Sequence, residues 1–126
     1  MQKECIDVQC APKPAAPYSV AVGAGELLFL SGQVPLKPDG SGLVRGTIQE
    51  EARQVLDNVK AVLEECGSSL DKVVKVTALL SDMEDFAEFN AVYGEYFTED
   101  LPARTCFQAG CLPLDVKVEV EVVAIR

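Results

Sequence analysis

"RTCFQAGCLPLDVKVEVEVVAI", residues 104–125, holds two strand patterns around a short apolar turn, and the second decides what kind of sheet to expect. Successive side chains of a strand point to opposite sides. Val116, Val118, Val120 and Val122 therefore share one face, while Lys117, Glu119, Glu121, Val123 and Ile125 share the other. A strand that is apolar on one side and charged on the other packs against helices on one side only. Charges on a buried sheet surface cost free energy, so Glu119 and Glu121 need solvent, a cation or a polar site. The valine face is expected to meet helices, and the glutamate face to point to the side the chain leaves uncovered.

Upstream, Arg104–Ala109 reads as a further strand, taken as the neighbour of the last one, with Arg104 at its start after "LPA". Before it, Met83 to Phe97 reads as a helix with Met83, Phe86, Phe89, Tyr93, Tyr96 and Phe97 on or near one face. Such an aromatic stripe is read as core rather than as a ligand cage. Asn90 in its middle is a poor helix former whose amide could either face a cleft or lie exposed. "DKVVKVTALLS" (71–81) is a buried strand.

"TIQEEARQVLDNVKAVLEECG" (47–67) is the clearest helix. Thr47 and Glu50 form a capping-box pattern, apolar residues recur at helical spacing from Ile48 to Cys66, and Gly67 is the stop. "YSVAVGAGELLFLSGQ" reads as strands Tyr18–Val22 and Leu27–Ser31 around a turn at 23–26; a phosphate loop there would need a following helix. "KPDGSG" (37–42) is a surface turn, and "APKPAAP" an extended lead-in. With a possible extra strand near 3–8, the order predicts an α+β fold: a single mixed β-sheet of about six strands with two α-helices packed on one face. All of it fits one domain, 1–126. The uncovered sheet face predicts an oligomer.

The totals exclude several chemistries. The chain has no histidine, which removes Ser-His-Asp, Cys-His and paired-histidine schemes. A net charge of −9 with scattered basic residues lacks the footprint of a nucleic-acid binder or of an anionic-membrane binder. No apolar run approaches the roughly 20 residues of a membrane span. Five cysteines and no signal peptide point to a reducing, cytoplasmic setting. Cys5/Cys10 and Cys106/Cys111 could be assembled into a four-thiolate zinc site, but the spacing is loose and small buried hydrophobes are the expected reading. Arg104 could form a structural pair with a glutamate or hold a substrate carboxylate, with Glu119 handling a proton or water.

Several ordered stretches together resemble one family. "PARTCFQAGCLPLDVKVEVEVVAI", "APYS", "LFLSGQVP", "ARQVLDNVKAVLEECG" and "MEDFAEFNAVYGEYF" are similar to the signature segments of the RidA/YjgF family, the reactive intermediate deaminases, also called the endoribonuclease L-PSP family. The resemblance implies a chorismate-mutase-like homotrimer with active sites in clefts between subunits. It implies hydrolysis of 2-enamine and 2-imine acids, such as 2-aminoacrylate and 2-iminobutyrate, to 2-keto acids and ammonia, with no metal or cofactor. On the matching positions, Arg104 would hold the substrate carboxylate and Glu119 would position and activate water. Tyr18 would join them in catalysis, while Cys106 (through its backbone), Ser31, Gly32, Asn90 and Pro113 would line the pocket. The expected partners are small 2-imino and 2-keto acids and further copies of the chain. An endoribonuclease or translation-inhibitor role, and a non-catalytic binder or chaperone of small carboxylates, are the alternatives. Ala16 and Val20 depart from the family pattern, as does Leu114 where lysine is usual; these changes bear on substrate range. For Glu121 a structural ion pair is expected.

Overall fold

The structure, a computed structural model, describes residues 1–126. Its strands are β1 (Lys3–Ile6), β2 (Ala21–Ala24), β3 (Leu27–Gln33), β4 (Val73–Leu80), β5 (Ala103–Gln108) and β6 (Val118–Ile125). Two helices, α1 (Ile48–Glu65) and α2 (Phe86–Tyr96), complete the fold. One six-stranded sheet has the order β1-β2-β3-β6-β4-β5. Only β4 and β5 run parallel, and α2 makes the crossover that a parallel pair requires. The expected mixed sheet with two helices is what the chain forms.

Local chemistry sets the elements. Thr47 Oγ1 accepts from the Glu50 N–H at 3.2 Å while Glu50 Oε1 accepts from the Thr47 N–H at 3.1 Å, closing the capping box. Ile48, Val55, Leu56, Val59, Val62 and Leu63 form the buried stripe of α1. At about 1.5–3 kcal/mol for each fully buried aliphatic side chain, that stripe drives the docking of α1. Gly67 ends the helix at φ 83°, a conformation that other residues adopt at a cost. The 83–97 segment starts with a turn of 3₁₀ helix, Met83–Asp85, because Asp82 caps it by accepting from the Glu84 N–H at 2.9 Å.

Strand ends differ from expectation for identifiable reasons. The first predicted strand begins at Ala21 rather than Tyr18, where pairing with both neighbours starts, Ile6 of β1 and Leu30 of β3 standing opposite Ala21. The last begins at Val118 rather than Val116, because Leu114 and Asp115 adopt left-handed φ values of 58° and 56°. The two strands of the 104–125 stretch are not neighbours: β4 lies between them, since α2 returns the chain parallel to β4 while β6 fills the gap between β3 and β4.

Val118, Val120, Val122 and Ala124 are buried under the helices, as the alternation requires. The opposite face is open, and Leu27, Phe29 and Ile125 are 39%, 42% and 45% exposed there. One charge sits inside: Glu51 of α1 is 2% exposed, accepts from the Lys117 N–H at 2.9 Å and lies 3.7 Å from Lys117 Nζ. That clip ties α1 to the residue leading into β6. Cys5 and Cys106 occupy the two edge strands of the six-stranded sheet, about 24 Å apart at ordinary strand spacing, so the Cys5/Cys10 and Cys106/Cys111 pairs cannot meet around one zinc ion.

Candidate functional site

The expected residues assemble into two separate groups. The first forms on the helix side of β5. Alternation along this strand turns Arg104 and Cys106 toward α2, while Ala103, Thr105 and Phe107 face the open side. Arg104 Nη1 donates to Asn90 Oδ1 at 2.8 Å. The guanidinium carbon lies 4.7 Å from the Tyr93 ring centre, 5.7 Å from that of Phe86 and 6.0 Å from that of Phe89. Aromatic faces attract a cation, so three rings and one amide hold this fork in place. No carboxylate pairs with it: the ion pairs of the chain are Arg53–Glu95, Lys117–Glu51 and Arg126–Glu4. The structural Arg–Glu pair is therefore not formed. The aromatic stripe is core in part, with Phe89, Tyr93 and Phe97 buried, and it also seats the chain's own cation.

Sequence reasoning missed that seat. Phe86, Phe89 and Tyr93 at i, i+3 and i+7 with Asn90 at i+4 was the available signal, but only the parallel β4–β5 pairing brings Arg104 beneath it. Burial pushes the Cys106 thiol up from its ordinary value, against the pull of Arg104, so the sulfur is a protonated wall rather than a nucleophile. The Tyr93 hydroxyl is buried with no hydrogen-bond partner.

The second group lies on the open face. Tyr18, Ser31, Gly32, Pro113 and Glu119 line one cleft of about 550 Å³. Pairing of β3 with β6 shifts register between Leu30 and Gln33, and this irregularity places Ser31 and Gly32 beside Glu119. A Cβ on Gly32 would stand 2.0 Å from Glu119 Oε2, so only glycine leaves room for the carboxylate in this position. Glu119 has no hydrogen-bond or ion-pair partner, and burial, followed by the nearby Glu121 charge, raises its carboxyl above the ordinary value. Ser31 Oγ donates to the Ser19 carbonyl at 2.6 Å and so retains its lone pairs for accepting. Tyr18 is 56% exposed at the cleft wall. Glu121 faces the same side but forms no ion pair; it lines a smaller cavity of about 300 Å³ with Lys75 and Thr77. Lys75, the nearest candidate cation, donates instead to Thr105 Oγ1 at 2.7 Å.

Arg104 and Glu119 cannot meet within one chain. They project from opposite faces of the sheet. Arg104 pairs with Val76 of β4 and Glu119 with Leu79, so they are also displaced by about 10 Å along the strands. The glutamate face is the uncovered one, as expected, while Arg104, Cys106 and Asn90 lie on the other side of the sheet.

The family model described as endoribonuclease L-PSP matches residues 8–126. A RutC family protein of Pyrococcus horikoshii is 49% identical over 124 residues, 98% of each chain. The crystal structure of RidA from an Antarctic Psychrobacter superposes with a TM-score of 0.91 at 36% identity, covering 98% of this chain and 99% of that one. The chain belongs to the RidA/YjgF family. A further member of similar structure is Escherichia coli TdcF, solved with bound serine: TM-score 0.90, 39% identity, 98% of each chain. In this RidA/YjgF chain, as in any fold, membership sets the scaffold, and the two charged groups must carry the argument for chemistry.

Proposed function

We propose that this RidA/YjgF protein hydrolyses reactive 2-imino and 2-enamino acids, such as 2-aminoacrylate and 2-iminobutyrate, to 2-keto acids and ammonia. Each active site would be shared by two chains of a homotrimer. The observation that carries this reading is the complementary incompleteness of the two groups: a seated guanidinium with no carboxylate, and a raised carboxyl with no cation. Docking the β5 edge of one chain onto the open face of another would bring a substrate held by Arg104 up to Glu119, with the guanidinium neutralised by the substrate carboxylate rather than by the base. The exposed Leu27, Phe29 and Ile125 supply apolar area for such a contact.

The chemistry needs little else. Once an enamine takes a proton at carbon, the resulting iminium carbon is already electrophilic. Arg104 holds the substrate carboxylate with the donors that Asn90 leaves free. Water attacks the iminium carbon, and its proton passes to Glu119, whose raised pKa suits a general base. Return of that proton to the amine of the carbinolamine makes it a leaving group; as the C–N bond breaks and the C=O forms, the hydroxyl proton passes to Glu119, releasing ammonia and the keto acid. Tyr18 and Ser31 orient the water and nitrogen from the cleft wall, Gly32 keeps the carboxylate's place open, and the Cys106 backbone and Pro113 border the substrate. Neither a metal nor a cofactor is required. Five free thiols fit a reducing, cytoplasmic setting.

The test couples the purified protein to a serine or threonine dehydratase and follows keto-acid release. Acceleration by the wild type and its loss in Arg104→Ala support the reading. No acceleration, or undiminished acceleration by Arg104→Ala, overturns it. Because the matching family model is described as endoribonuclease, RNA cleavage is the second reading. It requires nuclease activity that co-purifies with the protein and disappears with Arg104→Ala; the charge of −9 opposes it. Tight keto-acid binding without turnover would mark a non-catalytic binder.

A further inference from the structure

In the single chain, the cleft around Glu119 continues away from the carboxylate to a largely apolar end. Ser31, Gly32, Gln33, Val34 and Leu36 line one side of it, and the segment turns tightly at its end, where the Leu36 N–H donates to the Val34 carbonyl at 2.7 Å. Beyond β3 the wall is apolar at Leu36 from this segment, Pro12 from the lead-in and Leu114 from the turn before β6, with Lys13 the one cation on the lining.

Leu114 is the unusual member. It is 60% exposed and sits at φ 58°, where a branched side chain is strained. Its neighbour Asp115 is also left-handed, at φ 56°. The conformation is held from afar: Arg45 Nη2 donates to the Leu114 carbonyl at 2.7 Å and Nη1 to the Asp115 carbonyl at 3.3 Å. Glycine or asparagine would occupy such a position at lower cost, yet a large apolar side chain is presented at the wall of the cleft.

We infer that Leu114, positioned by Arg45, is a specificity-determining residue. It makes this protein prefer imino acids with a branched or extended aliphatic side chain over the alanine-derived imine. The inference rests on the deaminase reading for its reaction, but not for its binding preference. The substrate side chain lies along Val34 and Leu36 and ends against Leu114, while the imine carbon stays at Glu119.

The experiment generates imines in situ from leucine and from alanine with an amino-acid oxidase, and compares kcat/KM for the wild type, Leu114→Gln, Leu114→Met and Arg45→Ala. In parallel, calorimetry measures binding of 4-methyl-2-oxopentanoate and pyruvate to the same proteins. Loss of one apolar contact changes such selectivity about tenfold. Leu114→Gln is therefore expected to lower the leucine-to-alanine ratio about tenfold, chiefly through KM, and to weaken binding of the branched keto acid alone. Leu114→Met should keep the preference, and Arg45→Ala should lose it in part with kcat for the alanine-derived imine unchanged. Since Leu114 is exposed, these variants fold. A ratio that Leu114→Gln leaves within twofold, together with unchanged keto-acid binding, overturns the inference while leaving the deaminase reading intact. Selective binding without any turnover supports the inference and overturns the deaminase reading instead.

Discussion

Arg104 and Glu119 sit on opposite faces of one sheet and are prepared in opposite ways. The cation is fully furnished: Asn90 accepts from it, three aromatic rings surround it, and its position depends on no other chain. The carboxylate is stripped: a glycine makes room for it, burial raises it, and nothing in the chain pairs with it. A binding group works best when pre-set, since its geometry is then established before the ligand arrives. A base works best near neutrality, which requires withholding the partners that would lower its pKa. Had the fold put both groups on one face, they would neutralise each other as an ordinary ion pair.

Complementation probes this division of roles most severely. Arg104→Ala and Glu119→Gln, each tested alone, should lose about 10²–10⁴-fold of imine hydrolysis. If every site takes its arginine from one chain and its glutamate from another, unfolding and refolding the two inactive variants together should restore about a quarter of wild-type activity, because one chain pairing in four is intact. No recovery in the mixed oligomers, measured by the coupled assay, would place each site within a single chain.

The glutamate side carries a pH signature. A carboxyl whose folded pKa is raised favours the folded state while protonated; that contribution is present below the ordinary carboxylate pKa and is lost as pH rises through the raised value. Glu119→Gln stays neutral throughout, so its Tm should exceed the wild type's near neutral pH, with the gap closing below about 4.3. The wild-type kcat/KM should have an acid limb above the ordinary glutamate range, and that limb should vanish from the residual activity of the variant.

Gly32→Ala separates the cleft's geometry from its stability. The added Cβ meets the end of a flexible side chain, so stability should change by less than about 1 kcal/mol. Displacing Glu119 by about 1 Å should nonetheless cost about 100-fold in kcat, leaving KM nearly unchanged. Unaltered kcat would show that Glu119 is not held where the chemistry occurs. The smallest effect belongs to the arginine side. Tyr93→Phe removes a buried hydroxyl that has no partner while keeping the ring over Arg104. Stability should rise by up to about 1 kcal/mol in thermal unfolding, with activity within twofold; a large loss would mean the hydroxyl reaches substrate or a second chain.

Much of the scaffold was legible locally. The capping box at Thr47 and Glu50, the aliphatic stripe of α1 and the alternation from Val118 to Ile125 each depend on a few adjacent residues, and each formed as read. The α+β arrangement followed from their order. Site residues were legible as chemical types: a forked cation, a lone glutamate on an open face, a glycine before Gln33. Their grouping was not, because it depends on which strands pair. β4 separates the two strands of residues 104–125, and the parallel pairing of β5 turns Arg104 toward the helices. The expected ion pair of Glu121 failed for the same kind of reason, since the register of β4 and β5 gives Lys75 a nearer partner in Thr105.

By itself the amino-acid sequence determined the elements, the apolar and polar face of each, and the identity of the groups able to bind a carboxylate and move a proton. Those properties follow from short-range periodicity and from side-chain chemistry. Only the tertiary structure decided that the two reactive groups lie on opposite sides of the sheet, that Glu119 is raised and unpaired, and that Leu114 stands at the wall of the cleft. Strand order, burial and long-range hydrogen bonds set those features, and each joins residues tens of positions apart that no local pattern couples.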